Sequence, residues 1–406
     1  MNSGDLAWVL VASSLIMLMT PAVGLFYGGM VRRKNVLSTI MLSFSVLIVV
    51  TIQWVLFGYT LSFGPDVRHV IGNLDWFGLN GVGLEPFVPY AATIPHIAFM
   101  LFEMKFAIIT PALISGAFVE RVRFSSFLLF TVLWTTLVYD PVAHWVWGVG
   151  GWLKDMGALD YAGGTVIHVT SGVAALAMAL VVRQRKGFGH VTVEPNSVLL
   201  TLLGAILLWF GWFGFNGGSA LASSGIAVHA IVTTNIAAAA EALAWMALSW
   251  RHSRPGVIGV ATGAVVGLVA ITPACGYVGV PAAIIIGTVA SIISYYCIQW
   301  RTRMKIDDSL DVWACHGMAG TWGAIATGIF ASKLVNPAGD NGLIFGNVHL
   351  FVVQILSVCV AWVFSFTVTY ALAKLIDETR GMAVGLAEEE VGLDISQHGE
   401  ELYAGW

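Results

Sequence analysis

Runs of apolar residues long enough to cross a bilayer recur along almost the whole chain, and no other feature constrains its fold as tightly. A crossing helix needs roughly 20 such residues, because the hydrocarbon is about 30 Å thick and each helical residue rises about 1.5 Å. Breaks at charged and turn-rich clusters separate eleven runs: 6–31, 36–63, 94–119, 124–147, 163–182, 197–215, 226–250, 256–275, 280–300, 312–331 and 347–376. Lipid offers backbone amides and carbonyls no partner, so each run must satisfy its own as a helix. The prediction is an all-α integral membrane protein of eleven transmembrane helices over 1–376, followed by a tail from 377 to 406. Composition agrees, since 58% of residues are hydrophobic and only 10% are charged, against about 25% charged in soluble domains.

An odd number of crossings puts the termini on opposite sides, and the basic residues say which is which. Thirteen of the 19 Lys and Arg fall in the loops after runs 1, 3, 5, 7 and 9, for example Arg32, Arg33 and Lys34, whereas the alternate loops hold Arg68, Lys154 and Lys333. The positive-inside rule then places the N-terminus outside and the tail in the cytoplasm. The opening stretch carries Asp5 and no Lys or Arg, unlike a signal peptide. A net charge of -4 leaves no basic excess for a nucleic-acid partner. Cys275, Cys297, Cys315 and Cys359 sit in apolar runs without ligand spacing and read as small core residues, with no metal or cofactor implied. Phosphate loops, GxSxG and HExxH are missing from the sequence, so it does not read as an enzyme or an ATP-driven pump.

Runs 1–5 and 6–10 form two halves, approximately 6–182 and 197–331, with a final helix over 347–376. Five crossings per half insert the second upside down relative to the first, and such inverted repeats bracket midplane sites. The last run of each half carries a cue: Asp160 precedes His168, and Asp311 precedes His316.

An ionisable side chain within the membrane is costly and marks a functional candidate. His168 and His316 occupy corresponding places in the two halves, which leaves three readings: a polar lining of a substrate path, a structural imidazole pair, or paired haem ligands. His96, His144 and His229 lie nearer run ends and read as structural. Phe102 and Phe106 share a helix face, and Trp209, Trp212, Phe213 and Phe215 crowd the end of run 6. Aromatic faces attract small cations, so Trp147 with the Ser219 hydroxyl is a candidate cage. Glu103 and Lys105, two apart, point to different faces and cannot pair with each other. Glu103 either shapes the field of an entrance or makes a buried hydrogen bond, and Lys105 is expected to snorkel.

The strings LFYGGMVRRKNVLS (25–38), GALDYAGGTVIHVTSG (157–172), WFGWFGFNGGSA (209–220), AITPACGYVGV (270–280), DVWACHGMAG (311–320) and VGLDISQHGEELY (391–403) resemble the ammonium transporter superfamily (Amt/Mep/Rh) along essentially the whole chain. The resemblance implies a homotrimer in the inner membrane, each protomer with its own pore for ammonium or ammonia. It implies an outer recruitment site of Trp147, Ser219 and Phe102, a gate of Phe106 and Phe215, and a lumen lined by His168, His316 and Trp212. It further implies that Asp160 orients the site from behind. Two departures stand out. Glu103 replaces what is more often a neutral polar residue, and Ala383 stands where the family's tail has an arginine, which weighs against coupling to a P-II regulatory protein. A sensor module that binds ammonium with little flux and signals to a cytoplasmic domain is the alternative.

Overall fold

The computed structural model describes residues 1–191 and 193–402, so the end of the tail, including Tyr403, lies outside the described residues. Among the described residues, nine helices are long and apolar enough to cross a membrane. They are α1 (Ser3–Met30), α2 (Arg33–Phe63), α3 (His96–Ala117), α4 (Phe124–Asp155), α5 (Gly164–Val181), α6 (Val198–Gly218), α7 (Gly225–Trp250), α9 (Val280–Arg303) and α11 (Val348–Arg380). The shorter apolar α8 (Val257–Ile271) and a helix over 313–330, α10, fill the two remaining expected places. The last helix runs past the expected 376 to Arg380 before ending at Gly381. Many surface residues are large and apolar, including Phe44, Ile52, Phe210, Leu243 and Val363, as expected of helices that face lipid rather than water. Cys275 and Cys315 are buried, but Cys359 lies exposed on α11. It shares that helix's outward face with Val352, Ile355 and Val363, so the expectation of a core position fails there.

The chain's two halves interlock at α5 and α10. A Cβ on Gly172 would lie 2.0 Å from Gly317 N, and one on Gly320 would lie 3.0 Å from the Cβ of His168. Each glycine stands four residues after its own half's histidine and packs against the histidine segment of the other half. This reciprocal close crossing requires small residues, and it brings the two imidazoles together. The first helix of each half also pairs with its counterpart, α1 lying along α6.

Buried charge gathers on the face that carries the basic loops. Glu120 receives Arg32 (Nε to Oε1, 2.9 Å), Arg185 (Nη1 to Oε2, 3.0 Å) and Asn35 Nδ2 (3.1 Å). Burial alone would raise the Glu120 pKa, but the Arg32 hydrogen bonds and the charges of Arg185 and Arg32 outweigh it and hold the carboxyl at about 2. The tail docks on the same face. Asp394 accepts from Leu37 N (3.1 Å) and Ser38 N (2.7 Å), Glu389 pairs with Arg183 (2.6 Å), and Lys34 Nζ donates to the carbonyls of Glu389 and Glu390. Ala383 bridges Val122 in backbone register.

Candidate functional site

His168 and His316 lie on π-helical turns, Gly164–Val169 and Trp313–Met318, which open α5 and α10. Such turns widen a helix by one residue and cluster at functional sites. Asp160 holds the first from its N-terminal end: Oδ1 accepts Gly163 N (2.8 Å) and Gly164 N (2.6 Å), and Oδ2 accepts Thr165 N (2.8 Å) and Val166 N (3.0 Å). One carboxylate thereby satisfies four amides that a helix start leaves open.

The second turn has the same device, but from a different residue than the sequence reading named. Asp308, not Asp311, accepts Val312 N (3.1 Å) and Trp313 N (2.8 Å). Asp311 adopts a left-handed backbone (φ 60°) and pairs with Arg301 (Nε to Oδ1, 2.8 Å). Asp308 precedes His316 by the same eight residues that separate Asp160 from His168, a spacing that makes the correspondence of the two halves tighter than Asp311 did.

The imidazoles lie 5.3 Å apart, tilted by 23°, with their Nδ1 atoms 3.3 Å from each other. One nitrogen donates and the other accepts, so the accepting Nδ1 carries no proton, and His168 Nε2 is buried without a partner. Trp212 stacks on His168 at 5.4 Å, its Nε1 donating to Thr272 Oγ1 at 2.8 Å. These groups and the side chains of Tyr27, Phe215, Leu208 and Val265 enclose a cavity of about 20 Å³. That volume admits about one water-sized molecule and no macrocycle, which removes the haem reading.

Phe215 lines this cavity and packs on Phe106, their ring centroids 4.4 Å apart. On their far side a wider cavity of about 210 Å³ is lined by Phe106, Trp147, Ser219, Asp160, Glu103 and Lys154, with Tyr90, Tyr161 and Tyr277 also contributing. Trp147 is fixed by its Nε1 donating to Asp160 O (2.8 Å), and its ring meets Phe106 edge-on at 6.1 Å. Ser219 caps α6, with Oγ donating to Phe215 O at 2.9 Å. Phe102 is fully buried behind Phe106, at 4.9 Å, and does not line the cavity. A Cβ on Gly218 would lie 2.6 Å from its Cε2, so the glycine makes room for that ring. Sequence reasoning missed Asp308, Tyr161, Tyr277 and Lys154. For Asp308 the eight-residue spacing was the available signal, whereas the other three reach the cavity from segments without periodic pattern.

His96, His144 and His229 line neither cavity. His96 bonds Tyr59 (2.6 Å), His144 bonds Ser62 O (3.0 Å) and Asp66 (2.9 Å), and His229 bonds Val278 O (2.8 Å), each the structural role expected. Lys105 is half-exposed on the opposite side of α3 from Glu103, near Met104 Sδ at 3.9 Å.

The helical membrane protein thus holds two cavities on either side of the Phe106–Phe215 pair, one wide and aromatic, one narrow and histidine-lined. A model of the Ammonium Transporter Family matches residues 7–403, and the chain belongs to that family. It is 49% identical over 403 residues to ammonium transporter Amt1 of Archaeoglobus fulgidus, covering 99% of this chain and 100% of that one. It is 48% identical over 405 residues to an ammonium transporter of Bacillus subtilis, covering 99% of each chain. Among solved structures, Saccharomyces cerevisiae Mep2 superposes with a TM-score of 0.91 at 35% identity, covering 99% of this chain and 92% of that one. A structure titled Sensor Amt Protein superposes with a TM-score of 0.90 at 28% identity, covering 97% and 98%.

Proposed function

We propose that this chain carries ammonium nitrogen across the membrane, taking it up as the cation and passing it as neutral ammonia. In this reading eleven helices cross the bilayer as two inverted repeats, 6–182 and 197–331, plus a final helix. The N-terminus and the wide cavity are outside, and the tail is cytoplasmic. Trp147 and Ser219 hold ammonium in the wide cavity with Phe102 supporting the aromatic wall, Phe106 and Phe215 close it off, and His168, His316 and Trp212 line the passage beyond.

The observation that supports this most is the sequence of apertures. A bare cation in a low-dielectric tunnel is prohibitively unfavourable unless paired, and behind the Phe106–Phe215 pair the passage holds about one water-sized molecule. Its lining there includes two hydrogen-bonded imidazoles and, among the described residues, no carboxylate. Ammonium therefore gives up its proton to water of the wide outer cavity at the aromatic closure, and ammonia crosses hydrogen-bonded to ring nitrogens that donate and accept in turn. Potassium has no proton to lose and is rejected at the same place. Protomers assemble as a homotrimer, each with its own path. A P-II protein or a signalling domain would meet the basic-loop face with its docked tail.

The likeness to a sensor structure at a TM-score of 0.90 favours a second reading, binding with little flux. His168→Asp distinguishes them in liposomes. Ammonium flux lost or altered in a folded variant supports transport through the paired imidazoles, and unchanged flux overturns their role.

A further inference from the structure

The wide cavity contains a carboxyl group that neither an aromatic cage nor the protein's own hydrogen bonding uses. Glu103 lies on α3 three residues before Phe106, a spacing that puts both on one side of the helix, and both line the cavity. It lies about 10 Å along the helix from the start at His96, well within the apolar segment. The residue is 9% exposed, and its Oε2 is buried without a hydrogen-bond partner. A carboxylate in such a place is strongly unfavourable unless a cation meets it.

Among the described residues, the one cationic side chain lining the cavity is already engaged elsewhere. Lys154 Nζ donates to Trp147 O at 2.8 Å and sits over the Tyr90 ring, 5.7 Å from its centroid. Lys154 and Glu103 form no ion pair with each other among the described residues, and the Lys154 head group lies against Trp147 and Tyr90 instead. The cavity wall thus carries a lysine held by Trp147 O and a carboxyl whose Oε2 has no partner.

We propose that Glu103 is a specificity-determining residue of the wide cavity, a carboxylate that takes a small monovalent cation beside Trp147 and Ser219. This rests on the reading of that cavity as the ammonium entrance and deepens it. An aromatic face and a hydroxyl select a cation by shape and hydrogen bonding, whereas a carboxylate attracts any small cation. Potassium should therefore compete for the mouth without crossing, since the discrimination that depends on a transferable proton comes later, at Phe106 and Phe215.

The test is ammonium uptake into liposomes as a function of concentration, with and without potassium chloride outside, for the wild type, Glu103→Gln and Glu103→Asp. Glutamine keeps the shape and removes the charge. It should raise the half-saturating ammonium concentration by about tenfold, equivalent to about 1.4 kcal/mol, by a larger factor than maximal flux falls. It should also abolish competition by potassium. Aspartate keeps the charge and should stay within about threefold of the wild type, about 0.7 kcal/mol, with competition retained. A Glu103→Gln protein that elutes and melts like the wild type and has the wild-type half-saturation and potassium competition overturns the proposal, because the carboxyl would then be neutral in the native protein. Absence of any ammonium-dependent flux in the wild type would instead overturn the transport reading. Tryptophan-fluorescence titration of the same three proteins with ammonium chloride in detergent then decides the role of Glu103 by the same shift.

Discussion

Replacing Asp160 with asparagine tests the construction of the histidine-bearing turn. The carboxylate accepts four backbone amides, two on each oxygen, at 2.6 to 3.0 Å. Asparagine retains one acceptor oxygen, and its amide nitrogen points hydrogens at the other two N–H groups. Hydrogen bonds to a charged acceptor contribute roughly 1.5–3 kcal/mol each, so the loss of two should cost roughly 3–6 kcal/mol. Asp308 accepts two amides, one on each oxygen, so Asp308→Asn should lose roughly 1.5–3 kcal/mol from this source. Thermal unfolding of detergent-solubilised protein, followed by tryptophan fluorescence, measures both, with ammonium flux in liposomes as the functional readout. Asp160→Asn should melt well below the wild type and, where it still folds, lose flux, because His168 then rides on a turn whose start is no longer fixed. A variant that melts within the reach of a single neutral hydrogen bond, about 1 kcal/mol, would refute the argument that one carboxylate organises the turn.

Trp147→Leu removes the indole and its bond to Asp160 O, and should raise the ammonium concentration needed for half-maximal flux by about tenfold, about 1.4 kcal/mol; an identical concentration dependence would show that the wide cavity does not recruit the cation. Glu120 bears on the basic-loop face. Its folded pKa of about 2 lies below the ordinary 4.5, so its stabilisation is complete above about pH 4.5 and is lost as pH falls from there through about 2. That difference corresponds to roughly 3 kcal/mol, so Glu120→Gln should lower neutral-pH stability by about that amount and flatten the acid limb of a melting-temperature profile; an unchanged profile would remove Glu120 as the anchor.

Most of the fold was legible because lipid permits so few structures. Once apolar runs of the right length were found, each had to be a helix, and observed boundaries such as Phe124, Trp250 and Val280 fall where charged or turn residues interrupt the runs. The paired histidines were legible because a buried ionisable residue in corresponding places of two halves has few bland explanations. Asp308 was not, because Asp311 lies nearer to His316 and no sequence pattern says that Asp311 takes a left-handed backbone and turns to Arg301. The wide cavity was only half legible. Trp147 and Ser219 were named, but Tyr161, Tyr277 and Lys154 converge on it from loops and helix ends whose paths no periodicity encodes. Phe102 was expected to line the mouth and packs behind Phe106 instead, while Glu103, with a role left open, occupies the wall. Phe102 and Phe106 share one helix face, but so do Glu103 and Phe106, and only the surrounding helices decide which pair faces the cavity.

The most direct measurement of the central claim is the current and flux that purified wild-type protein supports in liposomes when pulsed with ammonium and, separately, with potassium. Stopped-flow internal pH and a solid-supported membrane report the two together. Sustained ammonium-dependent flux with no potassium current, lost in His168→Asp, is the result predicted for deprotonation at the Phe106–Phe215 closure and passage along the imidazoles. Sustained potassium current through the wild type would contradict it, since an intact cation would then be crossing beyond the Phe106–Phe215 pair, where no carboxylate among the described residues lines the cavity to pair with it.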